Sequence, residues 1–346
     1  MLSKEHLKIV SFIRDNPSLS SKDIYDALDA GVAYATLKRM LLQLMAEGLV
    51  VSSGKGRGTK YLSSPAYELF YPVNTDEYFE QEIDEREIKG RFNPGLITGV
   101  LSQVSLLSKA ESKHLMILQK KYETNTALLT HTEYSKELER LAIDLSWKSS
   151  QIEGNTYSLL ETERLLKEKE TAEGKSKDEA IMLLNHKDAL DFIIASPGYA
   201  SPLSVSGLED IHSLLVKDLG IDRNIRKRKV GISGTNYVPL DNEYQIREAL
   251  QAMCRLVNQK DNIFEKALLS LLLISYIQAF ADGNKRTARI VNNAVLIDHQ
   301  YCPISFRTIN SIDYKKAMLL FYEQNNISAF KTIFIDQFEF AVKTYF

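Results

Sequence analysis

The segment Gln278-Ala279-Phe280-Ala281-Asp282-Gly283-Asn284-Lys285-Arg286-Thr287-Ala288-Arg289 joins two helices through a turn suited to an anion. The apolar run Phe264–Ile277 predicts the helix that enters it, over Phe264–Gln278. A second helix is expected over Arg286–His299. At its start the Gly283-Asn284-Lys285 backbone can aim N–H groups at an anion, and the helix dipole adds positive potential there. Arg286 and Arg289 stand three residues apart and so share a helix face. Asp282 beside them can offer a carboxylate oxygen to Mg²⁺. Together these groups suit a nucleoside triphosphate. Each part alone is weak evidence, since Gly-Asn-Lys opens many helices and arginines at this spacing are often solvent-facing. The specificity lies in the joint spacing of Phe280, Asp282, Gly283, Asn284, Arg286 and Arg289.

Outward from this turn the pattern stays helical. Periodicity predicts helices over Leu101–Tyr122, Glu133–Ser150, Ser158–Glu168, Lys177–Ile194, Ser204–Leu219, Tyr244–Asn258, Ile312–Glu323 and Ala329–Tyr345. Residues 96–346 are therefore expected to form a mainly α domain with short connections. Within it, Lys229–Ser233 and Tyr237–Leu240 flank Gly234-Thr235-Asn236, a hairpin signal. Residues 63–95 read as a connector, opened by Ser63-Ser64-Pro65 and closed by Asn93-Pro94-Gly95. Its acidic run, Asp76–Glu87, reads as a solvated helix face.

Residues 1–62 form a separate unit. Helices are expected over Ser3–Asp15, from a Ser20 or Ser21 cap through Leu28, and over Tyr34–Glu47 after Gly31. Leu49–Ser52 and Thr59–Leu62 read as strands around the tip Gly54-Lys55-Gly56-Arg57-Gly58. The chain has 346 residues, 44% hydrophobic and 25% charged, which is ordinary for a soluble globular protein of two or three domains. A net charge of −2 excludes a global polycation, so any nucleic-acid contact must be a local patch. Cys254 and Cys302 make no disulfide framework. The first residues are unlike a signal peptide, and Leu268–Ile277 is too short for a membrane span. The expected location is cytoplasmic, without a membrane partner.

Residues 278–289 resemble the signature of the Fic family, His-Pro-Phe-x-Asp/Glu-Gly-Asn-Gly/Lys-Arg-x-x-Arg. Phe280, Asp282, Gly283, Asn284, Lys285, Arg286 and Arg289 fit. Ala279 replaces the Pro, and Gln278 replaces the His. The resemblance implies AMP transfer from ATP and Mg²⁺ to a protein hydroxyl. Asp282 would hold the metal. Gly283, Asn284 and Lys285 would cradle phosphates, Arg286 would steady them, and Arg289 would hold the γ-phosphate. In the family the His takes the proton from the target hydroxyl. A carboxamide can hydrogen-bond a hydroxyl but has no usable proton affinity at neutral pH, so Gln278 implies nucleotide binding with weak or absent transfer. The toxin relatives called Doc share Gly-Asn-Lys-Arg-Thr-Ala, which keeps a phosphotransferase reading open.

Two further stretches extend the resemblance. Ser149, Glu153 and Gly154 fit the family's inhibitory motif, whose Glu competes with phosphate for the last signature Arg, here Arg289. Taken alone, Glu153 reads as the end of a helix before Gly154. Arg226–Leu240 is similar to the Fic flap, with Val230, Gly231, Ile232 and Tyr237 as candidate flap residues that would lay the target segment over the site by strand addition. Tyr314 and Tyr322 are candidates for an adenine pocket, with core packing as the plain alternative. The fold expected for the whole chain is a Fic-like helical bundle with a small β-hairpin flap, preceded by an α+β winged helix. Residues 1–62 resemble a winged helix-turn-helix module, with Tyr34, Thr36, Lys38 and Arg39 on a recognition helix and Lys55, Arg57 and Lys60 on the wing. Double-stranded DNA is the implied partner, and a regulator sensing nucleotide or a partner is the implied alternative function. A module used for dimerisation or docking is the plain one, so a homodimer stays open, and the protein substrate stays unnamed.

Overall fold

The computed structural model describes residues 2–28 and 32–346, except for the Arg57 side chain. The expected break at Gly31 lies outside the described residues. The first unit has the order read from the sequence: α1 (Lys4–Asp15), α2 (Ser21–Ala27), α3 (Tyr34–Ala46), then β1 (Val50–Ser53) paired antiparallel with β2 (Lys60–Ser63). Ser20 caps α2, its side chain accepting from the Asp23 N–H. Gly48 ends α3 with φ 73°, the left-handed step that glycine makes without a Cβ penalty. Ile9, Val10, Ile13, Ile24, Leu37, Leu41 and Leu44 close a core of their own. Leu19 bridges Tyr61 and so ties the α1–α2 link to β2.

The connector is less independent than its composition suggests. Two short helices form, α4 (Tyr67–Phe70) and α5 (Thr75–Glu80), so only the start of the acidic run is helical. Arg86 is buried against Glu323 at 3.2 Å, with side chains 3% and 0% exposed. Tyr78 donates to the same carboxylate at 2.7 Å. The Asn326 amide donates to the carbonyls of Glu68 and Tyr71. These bonds strap the connector to the helical domain.

That domain runs α6 (Leu101–Gln103), α7 (Lys109–Thr126), α8 (His131–Ile152), α9 (Leu159–Glu168), α10 (Lys177–Ala195), α11 (Val205–Leu215), α12 (Glu243–Gln259), α13 (Ile263–Ile277), α14 (Asn284–Asp298), α15 (Ser311–Gln324) and α16 (Ser328–Thr344). Helix α13 is apolar on all sides and is buried on all sides, packed against α12, α14 and α15. Among the described residues, no helix is long and apolar enough to cross a membrane.

Two expectations need correction. The helix expected over Leu101–Tyr122 breaks at 104–108, because the buried Glu265 carboxylate accepts from the N–H groups of Leu106 and Leu107 and from the Ser105 hydroxyl. Ser108 then caps α7. Nor is Arg226–Leu240 a paired hairpin. It turns at Ser233-Gly234, but its arms form no ladder, and Val238 bridges Arg91 instead. The paired β-hairpin is β1–β2.

Candidate functional site

The end of α13, the turn after it and the start of α14 make one wall of a cavity of about 390 Å³. Gln278 follows α13 in the left-handed region, φ 52° and ψ 55°. Gly283 also needs a positive φ, 81°. A Cβ there would meet Val216 at 3.3 Å and His212 at 3.4 Å. The N–H groups of Gly283, Asn284, Lys285 and Arg286 have no backbone acceptor among the described residues. They are the open donors of a helix start.

Arg286 is 2% exposed, donating to Asp282 Oδ2 at 3.1 Å and to the Leu215 carbonyl at 3.4 Å. Arg289 is fully buried. Its Nε donates to Ser149 Oγ at 2.8 Å, and Nη2 donates to the Ser149 carbonyl at 3.0 Å and to Glu153 Oε1 at 2.8 Å. Lys285 Nζ donates to the other Glu153 oxygen at 2.9 Å. Burial pushes the Glu153 carboxyl up, but Arg289 and Lys285 outweigh it and hold the group down at about 2. Glu153 also ends α8, and Gly154 follows with φ 104°. The plain reading of Glu153 as a helix end holds, and the same carboxylate pairs with Arg289.

The Gln278 amide is turned inward. Nε2 donates to the Ser275 carbonyl at 2.6 Å and lies 3.4 Å from the Tyr322 hydroxyl, while Oε1 accepts from Asn284 Nδ2 at 3.1 Å. Asn284 lines the cavity, but its side chain braces the turn. Oδ1 accepts from the Phe280 N–H, and Nδ2 also donates to the Phe280 carbonyl. Its amide is engaged within the turn, while its backbone N–H has no backbone acceptor among the described residues. Phe280 is core.

The side chain of Asp282 is 65% exposed and gives one oxygen to Arg286. Among the described residues no cluster of three His, Cys, Asp or Glu exists that could hold a metal by itself. A single exposed carboxylate beside a row of open backbone N–H donors still fits Mg²⁺, which commonly takes one or two carboxylates and completes its shell with substrate phosphates and water.

Val230, Gly231 and Ile232 line the same cavity as the turn. Tyr237 does not join them. It is buried, stacked on Tyr276 and Tyr322, with its hydroxyl on the Tyr276 carbonyl. Tyr322 lines the cavity, whereas Tyr314 lies under Arg289, 5.3 Å from ring to guanidinium, and is core. Three residues escaped the sequence reading. Arg226 donates to the Gln278 carbonyl at 2.6 Å, and its N–H donates to the Ala279 carbonyl. His212 stacks on Phe280 at 3.7 Å and reaches the Asp282 carbonyl at 2.9 Å. Lys315 adds a cation to the cavity lining. No local pattern marks any of them, because they reach the turn from other elements.

In the first unit Lys38, Arg39 and Lys55 are exposed. Arg39 donates to Thr36 Oγ1 at 3.2 Å, and the Lys38 ammonium lies over the Tyr34 ring. Tyr34 faces Ser21 at 2.9 Å, and Lys60 pairs with Asp23 at 3.4 Å. Arg57's side chain is outside the described residues.

The model of the Fic/DOC family matches residues 202–296. A protein adenylyltransferase Fic from Nematostella vectensis is 28% identical over 173 residues, 49% of this chain and 40% of the relative. The chain thus spans less than half the length of that relative. Fic-1 from C. elegans superimposes with a TM-score of 0.60 at 20% identity, over 68% of this chain and 72% of that one. A Fic domain containing signaling protein from Bacteroides thetaiotaomicron gives a TM-score of 0.57 at 20% identity, over 67% of this chain and 95% of that one. The turn at Asp282–Arg289 falls inside the residues that the Fic/DOC model matches, and the helices around it take the fold of solved Fic structures.

Proposed function

We propose that this protein binds ATP with Mg²⁺ at the Asp282–Arg289 turn, in an adenylyltransferase-type site that Glu153 holds off and Gln278 leaves without a base. The observation that carries this reading is the sharing of Arg289 between Ser149 and Glu153, beside a row of open backbone N–H donors. A carboxylate and a γ-phosphate compete for one guanidinium. The Gly283–Arg286 N–H groups receive phosphate oxygens, Arg286 adds charge, and Asp282 would hold the metal, whose contribution is to neutralise phosphate charge.

AMP transfer needs a target hydroxyl to bond to the α-phosphorus as pyrophosphate leaves, with the hydroxyl proton going to a base. Gln278 cannot take that proton. Loss of a general base costs about 10²–10⁴ in rate. The test uses ATP labelled at the α-phosphate. The unmodified chain and Glu153→Gly should transfer little label, while Glu153→Gly with Gln278→His should transfer more, by about 10²-fold or above. Strong labelling by the unmodified chain contradicts the reading, and transfer of a γ-label instead supports a Doc-like phosphotransferase.

A second reading concerns the first unit. Three helices and a hairpin carry exposed Lys38 and Arg39 on α3 and exposed Lys55 between the strands, which favours a winged-helix regulator on double-stranded DNA with the Fic domain as a nucleotide or partner sensor.

A further inference from the structure

Beside the cavity, residues 223–229 carry Arg223, Arg226, Lys227, Arg228 and Lys229, five cations within seven residues of a chain whose net charge is −2. Arg226 is buried as a brace. Lys227, Arg228 and Lys229 are exposed and lead directly into Val230-Gly231-Ile232, which line the cavity. Lys227 faces Glu243 at 3.7 Å, and Lys229 faces Asp241 at 3.4 Å, the lysine side chains being 76% and 78% exposed. The Arg228 side chain makes no ion pair among the described residues. Along Lys227–Ser233 no backbone N–H finds an acceptor among the described residues. This is an open main-chain edge with a cationic approach, placed at the mouth of the site.

We propose that this edge docks an acidic, extended polypeptide segment, whose carboxylates displace Asp241 and Glu243 from the two lysines and engage Arg228. The inference rests on the transferase-type reading above, because it supplies the target class for that site. Three properties support it. The exposed ion pairs that must be exchanged are each worth only about 0–1 kcal/mol, so an incoming carboxylate meets little resistance. Arg228 offers a planar fork that matches a carboxylate. Unused N–H groups match a peptide main chain, which pairs with an edge by strand addition and reads alternate side chains, here against Val230 and Ile232. A nucleic acid fits less well. Its phosphates would face Asp222, Asp241 and Glu243, and its backbone has no amide to pair with the edge.

The test is fluorescence anisotropy with a fluorescein-labelled glutamate-rich peptide carrying one serine, titrated with the full chain. The comparisons are the same peptide with every glutamate made glutamine and a single-stranded oligonucleotide. The glutamate peptide should bind at least about tenfold more tightly than either, with affinity falling as salt rises. The triple variant Lys227→Glu, Arg228→Glu, Lys229→Glu should lose about tenfold or more. If its circular dichroism shows misfolding, Arg228→Glu alone is read in its place, with a smaller loss expected. Equal binding of the two peptides, no binding, tighter binding of the oligonucleotide, or no loss in a folded charge-reversed variant overturns the proposal. The readout needs no nucleotide. Failure here with ATP binding intact overturns the docking inference alone, and absence of ATP binding overturns the transferase-type reading.

Discussion

Glu153 meets Arg289 at 2.8 Å and Lys285 at 2.9 Å, with its own side chain 19% exposed. The drop of its carboxyl from 4.5 to about 2 is worth on the order of 3 kcal/mol. The folded value lies below the unfolded one, so this stability is present above pH 4.5 and lost as pH falls through about 2. Glu153→Gln should therefore be less stable than the unmodified chain at neutral pH by about 2–4 kcal/mol, since it also leaves Arg289 buried without its counter-charge. The gap should narrow toward about pH 3. Denaturant unfolding at both pH values reads it, and an equal gap at both would contradict the ion-pair account. Gln278 was legible as a substitution in the signature. That its amide would turn onto Ser275, Tyr322 and Asn284 was not, because those partners lie on three different helices, α13, α15 and α14, which only the fold brings together.

Among the elements, the helices of residues 109–344 were largely legible because their periodicity is strong and their caps are local. Ser108, Thr130, Ser158 and Ser176 each head a capping box. The break after α6 was hidden because it is made by Glu265, far along the chain. Residues 226–240 were half legible: Val230, Gly231 and Ile232 line the cavity, but the chain turns at Ser233-Gly234, one residue before the expected turn begins, and Val238 bridges the connector at Arg91. The connector in turn grips the flap. Arg86 donates to the Gly234 carbonyl at 2.9 Å while paired to Glu323, and Asn236 donates to Asp84 at 2.8 Å. Removing one partner of a buried pair strands the other charge, so Arg86→Met should cost about 3–5 kcal/mol in denaturant unfolding. A cost below about 1 kcal/mol would show that the strap carries little.

For the whole molecule, the first unit and the helical domain have separate cores that meet at Phe70, which packs against both. A function for residues 1–62 can therefore be read apart from the cavity. If the first unit holds duplex DNA, the unmodified chain should shift a duplex at low salt, the shift should fade as salt rises, and Lys38→Glu with Arg39→Glu should abolish it. No shift at low salt would remove that reading and leave a docking module. The proposed function requires a site that binds a triphosphate while Glu153 pairs with Arg289. Titration calorimetry with ATP and Mg²⁺, on the unmodified chain and on Glu153→Gly, measures this most directly. Saturable heat is expected, with tighter binding in Glu153→Gly; no heat from either protein at saturating nucleotide would rule out the proposed triphosphate site.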